Sequence, residues 1–466
     1  MPEDVGISLC DQQNKEKSLS LEVKEPRGGP QPEIRKSLSQ SSLRKKVTIT
    51  CMVFTDFAAG VLFSIISPFF PVVAQQKGLS PTSIGVVFSV FEMFIILMAP
   101  IWGKLLGKTG AKFTYTTGII VGAICAMLFG VLYYSPDGST FLAMCLVSRT
   151  LEGAGVAAYM TASYTIAAHT FPDQMNTMFG LLEAAGSTGF MVGPVVGGLV
   201  FQAAGYVATL VGAGCLLLLV GLIGAVAVRP DKMNGEGKAG SMLPLLLSIR
   251  AIILLMVGVA VYVSIAFFTA TLALHLQMFH LTPVQVGAVF LAGPGAYGLC
   301  TPFWGMLADK FPQHRRMFML VGVTVAGCTF FFLGPAPFLP FIPNNLLWLI
   351  PLCLLVHGLF ASSVVIIFCE VCQVAQDLGM PDDVNTQGLV SGLITSTFSA
   401  GGFVGPIVGG SLFDAVGFSL AATVIGFIML AAALLLIIHM AISRVKRKRR
   451  EDDEETKGLL ADQRSK

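Results

Sequence analysis

The sequence predicts an all-α polytopic membrane protein with about twelve transmembrane helices in two pseudo-symmetric six-helix bundles. Three observations carry that prediction. Of 466 residues, 54% are hydrophobic and only 12% charged, about half the charged share of an average soluble domain. The apolar residues fall into successive runs near the roughly 20 residues needed to cross a bilayer. The stretch Gly189-Phe-Met-Val-Gly193-Pro194-Val-Val-Gly197-Gly198 returns just under half a chain later as Gly401-Gly-Phe-Val-Gly405-Pro406-Ile-Val-Gly409-Gly410. Glycines four apart let helix backbones approach closely in lipid. A proline inside a span kinks the helix. Ordinary small-residue packing accounts for one such stretch. Two at half-chain spacing point to homologous halves with a midplane site between them, a transporter plan.

In chain order, residues 1–46 are rich in Ser, Lys, Glu and Pro and read as a disordered cytosolic tail. The expected spans are 47–74, 81–106, 112–134, 140–168, 178–202, 206–228, 250–277, 283–308, 317–335, 346–372, 386–412 and 418–441. Residues 47–228 and 250–441 are thus the two bundles. A central loop, 229–249, joins them and a tail, 442–466, follows.

Lys and Arg set the orientation. Arg44 to Lys46, Lys104, Lys108, Lys112, Arg229, Arg250, Lys310, Arg315, Arg316 and the run from Arg444 to Arg450 share one side if the span count is even. The opposite loops contain only Lys77, so both termini are expected in the cytosol. The cysteines lie in the N-terminal tail or in apolar runs, and no disulfide framework is expected. The polar N-terminus has no signal-peptide core.

Acids inside the spans are the candidate site. Asp56, Glu92, Glu152, Glu183 and Glu370 fall within predicted helices, against one base, Arg149. An ionisable group at mid-bilayer costs about 2.5–3.5 kcal/mol on translocon scales, so such groups face the bundle interior and mark function. A surplus of carboxylates suits protons or a small cationic substrate and repels anions. A polyamine has enough ammonium groups to engage more than one of them. Bland readings stand beside the functional ones. Glu92, Glu152 and Glu183 also fit helix–helix hydrogen bonding, and Glu370, near a span end, fits a solvated interfacial charge. Arg149 and Glu152, three apart on one helix face, fit either a structural ion pair or a proton-coupling pair, and Asp56 is expected to share in proton coupling. His275 and His357 fit buried neutral histidines or a proton relay. Tyr159, Tyr164, Tyr262 and Tyr297 fit packing or cation–π contact. There is no Walker loop, nucleophile elbow or metal-ligand cluster, so no cofactor, metal, nucleic-acid partner or enzyme activity is expected.

The second loops of the halves correspond. Gly305-Met-Leu-Ala-Asp309-Lys310, followed by Arg315-Arg316, matches Gly103-Lys-Leu-Leu-Gly107-Lys108. Asp309 is placed to cap a helix or pair with arginine, latching two helices on the cytosolic side. The other half has Gly107 there.

These motifs, with Arg149-Thr-Leu-Glu-Gly153-Ala-Gly155 in the fourth span, resemble those of the major facilitator superfamily. The Gly189–Gly198 stretch is similar to the one in its proton-coupled antiporters. Phe54-Thr-Asp56-Phe57, and Val86-Val-Phe-Ser with Ala99-Pro100 and Gly103, look like the vesicular amine transporters, and within them the polyamine branch. The resemblance implies a major facilitator fold working by alternating access. It implies a proton gradient as driving force, a coupling role for Arg149 and an ammonium contact at Asp56. The implied activity loads organic cations, spermine or spermidine, into acidic vesicles. The sequence departs from monoamine and acetylcholine members in its short first lumenal loop, and in Ala361 and Thr395 where they carry coupling acids. A monoamine or broad organic-cation exporter, and a non-transporting membrane sensor, remain the alternatives.

After Arg444–Arg450, which suits anionic lipid, comes Glu455-Thr-Lys-Gly-Leu459-Leu460. It resembles an acidic dileucine signal, implying a clathrin adaptor as partner and a secretory, synaptic or lysosome-related vesicle as destination.

Overall fold

A computed structural model describes residues 32–66, 70–228, 241–280, 283–334, 336–339 and 345–465. Among the described residues every regular element is helical. Thr48–Lys466 forms one compact unit, separate from Met1–Val47.

The helices are α1 (Pro32–Ile65), α2 (Phe70–Gln76), α3 (Pro81–Thr109), α4 (Ala111–Val131), α5 (Ser139–Thr170), α6 (Met175–Ala227), α7 (Leu243–Leu247), α8 (Ile249–Leu276), α9 (Pro283–Lys310), α10 (Arg315–Leu333), α11 (Leu346–Asp377) and α12 (Val384–Ser465). Nine described segments are long and apolar enough to span a bilayer. Two of them, within α6 and α12, each hold two predicted spans. Gly205 (φ 81°) and Gly417 (φ 74°) break them, in a backbone region that glycine enters without a Cβ penalty. These breaks fall where the sequence placed its 203–205 and 413–417 loops. With α9 added, the segments match the twelve expected spans. Helix extends beyond those spans at both ends, from Pro32 and to Ser465. Proline suits a first helical turn, and the closing segment mixes Lys, Arg and Glu, good helix formers.

The halves repeat their pairings. In the first, α3 packs on α5, and α4 on α5 and α6; in the second, α9 packs on α11, and α10 on α11 and α12. The halves join most extensively through α3 with α12 and α6 with α9, and also through α5 with α12 and α6 with α11. Glycine makes the two larger joints close. A Cβ on Gly103 would lie 2.5 Å from the Gly388 carbonyl, and one on Gly180 would lie 2.5 Å from the Thr301 carbonyl. The duplicated Gly-Pro stretches serve a different contact. Gly189 and Gly193 seat on α1 at Phe57 and Val61, and Gly401 and Gly405 on α8 at Val259 and Val263. Each row therefore joins its helix to the first helix of its own half. Pro194 and Pro406 lie inside α6 and α12.

Side chains sort as lipid requires. Leu128, Val195, Leu199, Leu219, Leu299 and Phe303 are exposed, whereas Thr55, Ser264, Thr271 and Thr397 are buried. Those four hydroxyls donate to carbonyls one turn back on their own helices, satisfying polar groups that cannot reach water. The described cysteines are free thiols.

Candidate functional site between the halves

Glu183 stands at the α6–α9 joint. Its Oε1 accepts from the Tyr164 hydroxyl of α5 at 2.8 Å, and its Oε2 from the Tyr297 hydroxyl of α9 at 2.9 Å. Tyr262 of α8 also faces it, with its ring stacked on Phe398 at 4.3 Å. Asp56 of α1 is buried and accepts from the Tyr159 hydroxyl through Oδ1. The Ser163 hydroxyl also faces the Asp56 carboxylate. Glu92 of α3 faces Ser399 of α12. Its carboxylate oxygens are 3.8 Å from where Gly402 would carry a Cβ. Glu92 and Glu183 also share Tyr262 as a neighbour. Asp56, Glu183 and Glu92 therefore line one tyrosine-walled region reached by both halves. None makes an ion pair among the described residues.

Arg149 is engaged elsewhere. Its Nη1 lies 2.7 Å from Glu152 Oε2, and both side chains are about as buried as the core. Its guanidinium sits 4.3 Å from the Phe91 ring centre and 5.5 Å from that of Phe129. Every one of these partners is in the first half.

Glu370 is not brought to the central group. It pairs with Arg316 of α10 at 2.6 Å, near the α9–α10 turn. Beside it Arg250 pairs with Asp377 at 2.6 Å. These bases served in the sequence as markers of orientation, and the structure also gives them carboxylate partners. Ala361 and Thr395 are fully buried. His357 Nδ1 is 2.9 Å from the Cys353 carbonyl and its ring packs on Phe268. His275 stacks on Phe418 at 3.8 Å.

Asp309 forms both contacts open to it. Its Oδ1 accepts from the Asn176 side-chain amide at 2.7 Å and backbone N–H at 3.3 Å; its Oδ2 accepts from the Thr177 backbone N–H at 2.8 Å and hydroxyl at 2.6 Å. It thus caps α6, a helix of the other half, where negative charge is stabilised. Arg315 Nη2 is 3.8 Å away. Thr165 of α5 bonds Ser391 of α12 at 2.9 Å, and Phe179 stacks on Phe368 at 5.3 Å. These contacts draw the halves together towards the ends where α6 and α12 begin. At the position matching Asp309, Gly107 lies against Asn385, and α12 is capped by its own Asp383 at Thr386 N–H, 2.9 Å. Asn176, Thr177 and Ser399 were missed in the sequence. Asn-Thr at the start of a helix is a capping signal, but nothing local says that its acceptor lies over a hundred residues away.

Residues 52–376 match the model of the Major Facilitator Superfamily. The chain belongs to that superfamily. It is 35% identical over 396 residues to the MFS-type transporter SLC18B1 of Homo sapiens, covering 83% of this chain and 84% of the relative. It is 24% identical to the synaptic vesicular amine transporter of Rattus norvegicus, covering 76% and 65%. It is 23% identical to multidrug resistance protein 1 of Bacillus subtilis (strain 168), covering 80% and 91%. The crystal structure of the human organic anion transporter MFSD10 (TETRAN) superposes with a TM-score of 0.65 at 16% identity, over 84% of this chain and 99% of that one. That likeness speaks to the fold alone. This major facilitator protein is a membrane transporter and not an enzyme.

Proposed function

We propose that this transporter exchanges protons for an organic cation, with polyamines such as spermine and spermidine as the substrates. One observation carries the reading: Asp56, Glu92 and Glu183 line a shared, tyrosine-walled region between the halves, while the neighbouring Arg149 is committed to Glu152. Several carboxylates spread along one region suit a substrate with several ammonium groups better than one with a single amine. Phenol rings around them favour cations through their faces. Similarity to a relative named a synaptic vesicular amine transporter supports an amine cargo and a vesicle membrane.

The end bearing both tails is then cytosolic, by its Lys and Arg excess. The cross-half bonds at Asp309 and Thr165 make the described arrangement the one shut towards the cytosol. The proton gradient of an acidic vesicle supplies the energy, and no cofactor is needed. Leu459 and Leu460, with Glu455, serve as the sorting signal for a clathrin adaptor; their side chains lie outside the described residues.

A broad organic-cation exporter is the second reading, favoured by similarity to a bacterial multidrug resistance protein. Purified protein in liposomes with an acidic interior separates the two. Uncoupler-sensitive uptake of labelled spermidine, with little serotonin uptake, supports the first. Comparable uptake of serotonin and unrelated cations supports the second, and no uptake of any amine by folded protein refutes both.

A further inference from the structure

A membrane carboxylate can drive a conformational cycle only if its protonation changes a contact that differs between states. The Arg149–Glu152 pair does not meet that condition in this arrangement. Both residues lie on α5 and their other partners lie in the same half. Protonating Glu152 would loosen the first half internally and break no hydrogen bond to the second half among the described residues. Glu183 meets the condition. One of its oxygens is held by Tyr164 in the first half and the other by Tyr297 in the second.

We propose that Glu183, rather than Glu152, is the acid whose proton couples the exchange, because its two carboxylate oxygens are held by tyrosines from opposite halves. The inference rests on the proposed exchange of protons for an amine.

The chemistry is a proton transfer. Phenol O–H groups donating to both oxygens call for the ionised carboxylate. A proton from the lumen bonds to Oε2 and makes it a hydroxyl. The hydrogen bond from Tyr297 breaks, while the phenol keeps its own proton and turns away. One tie between α6 and α9 is then lost at the joint that Asp309 also closes. The cytosolic end opens, and the proton leaves to the cytosol as the amine enters. The titratable groups facing Glu183 are Tyr164 on α5, Tyr262 on α8, Tyr297 on α9 and Asp56 on α1. The phenols keep their own protons throughout this step.

The test uses the full chain in liposomes and in detergent. Spin labels go on Gln174→Cys and Gln313→Cys, exposed positions near the cytosolic ends of α6 and α9, with the reactive native cysteines replaced. In the otherwise unaltered protein, acidification lengthens the label distance. E183Q is expected to abolish that response and to cut gradient-driven spermidine accumulation by roughly tenfold or more, within the usual 5–150-fold range of coupling between sites. Spermidine-for-spermidine exchange persists at a reduced rate. Y297F keeps the acid but loses the tie, so it populates the open form already at neutral pH. E183D, which restores a titratable group, brings back part of the pH response. A pH response retained in E183Q but lost in E152Q would overturn the assignment. So would loss of exchange and accumulation in equal measure, which is the signature of a binding residue only. If the unaltered protein moves no amine yet its opening still depends on Glu183, the exchange reading fails and Glu183 stands only as a proton-sensitive tie between the halves.

Discussion

Asp309→Asn tests the tie between the halves most directly. The carboxylate accepts four hydrogen bonds, from the backbone N–H groups and side chains of Asn176 and Thr177. Its side chain is 9% exposed and that of Arg315 is 21% exposed. Asparagine keeps one acceptor oxygen and turns an NH2 group towards the remaining donors. About two charge-assisted bonds are lost, each worth about 1.5–3 kcal/mol. The negative charge at the α6 N-terminus is lost too, at about 0.3–1 kcal/mol. The freed donors recover part of this from water at the membrane surface, leaving a net cost of about 2–4 kcal/mol to the closed arrangement. At about 1.36 kcal/mol per decade, that is roughly a 30- to 900-fold shift towards opening at this end. The label pair at Gln174 and Gln313 reads the populations, and melting of the purified protein checks that the fold survives. An unchanged distance distribution in D309N, at pH values either side of neutral, would refute the claim that this cap holds the halves together.

Three further predictions rest on the same geometry and a fourth on the proposed sorting signal. Asp56→Asn should lower spermidine uptake about 10- to 150-fold with folded protein retained, as expected for one charged hydrogen bond; near-normal uptake would remove Asp56 from the binding site. Arg149→Gln strands a buried carboxylate at Glu152 and should cost about 3–5 kcal/mol in thermal unfolding, with much of it regained in R149Q/E152Q; equal melting of single and double variants would show that the pair carries no such coupling. Gly107→Asp should fail to create a second latch, because a Cβ there meets the Asn385 side-chain amide, which must swing aside to admit it; tighter closure would show that the displaced Asn385 still leaves α12 a donor for the new acid. Leu459→Ala with Leu460→Ala should move the protein from vesicles to the cell surface in microscopy, and unchanged distribution would place the sorting signal elsewhere.

The fold was legible because lipid makes its demands locally. A span must be apolar for about 20 residues, its close contacts must be small, and a tight reversal without a loop, as at Gly205 and Gly417, needs a residue that tolerates positive φ. Each demand is met by residues near one another in the chain, so the reversals at 203–205 and 413–417 could be located without coordinates. The acids were legible for the same reason, since Asp56, Glu92 and Glu183 each stand out against their own apolar run.

Their partners were not legible, because partners are chosen by the rotation of one helix against another. Tyr164 and Tyr297 stood out in the sequence as aromatic faces for a cation. In the structure their hydroxyls are the feature that matters, because both point at the Glu183 carboxylate from different halves. Likewise Glu152 and Glu183 are indistinguishable as isolated membrane acids. One closes on an arginine three residues away, within a single turn, and the other bridges two bundles. Duplication adds a further asymmetry that repeats alone do not disclose. The halves share a loop pattern, but only the second supplies the acid that caps the opposite bundle, because Gly107 leaves α12 to be capped by its own Asp383. Both joints between the halves close on glycine, and they differ in how carboxylates are held: Glu92 faces Ser399 at the α3–α12 joint, whereas at the α6–α9 joint Asp309 caps α6 and Glu183 accepts from Tyr297. Among the described residues, the α6–α9 joint is where one acid takes hydrogen bonds from tyrosines of both halves, so a proton arriving there would change a tie between them.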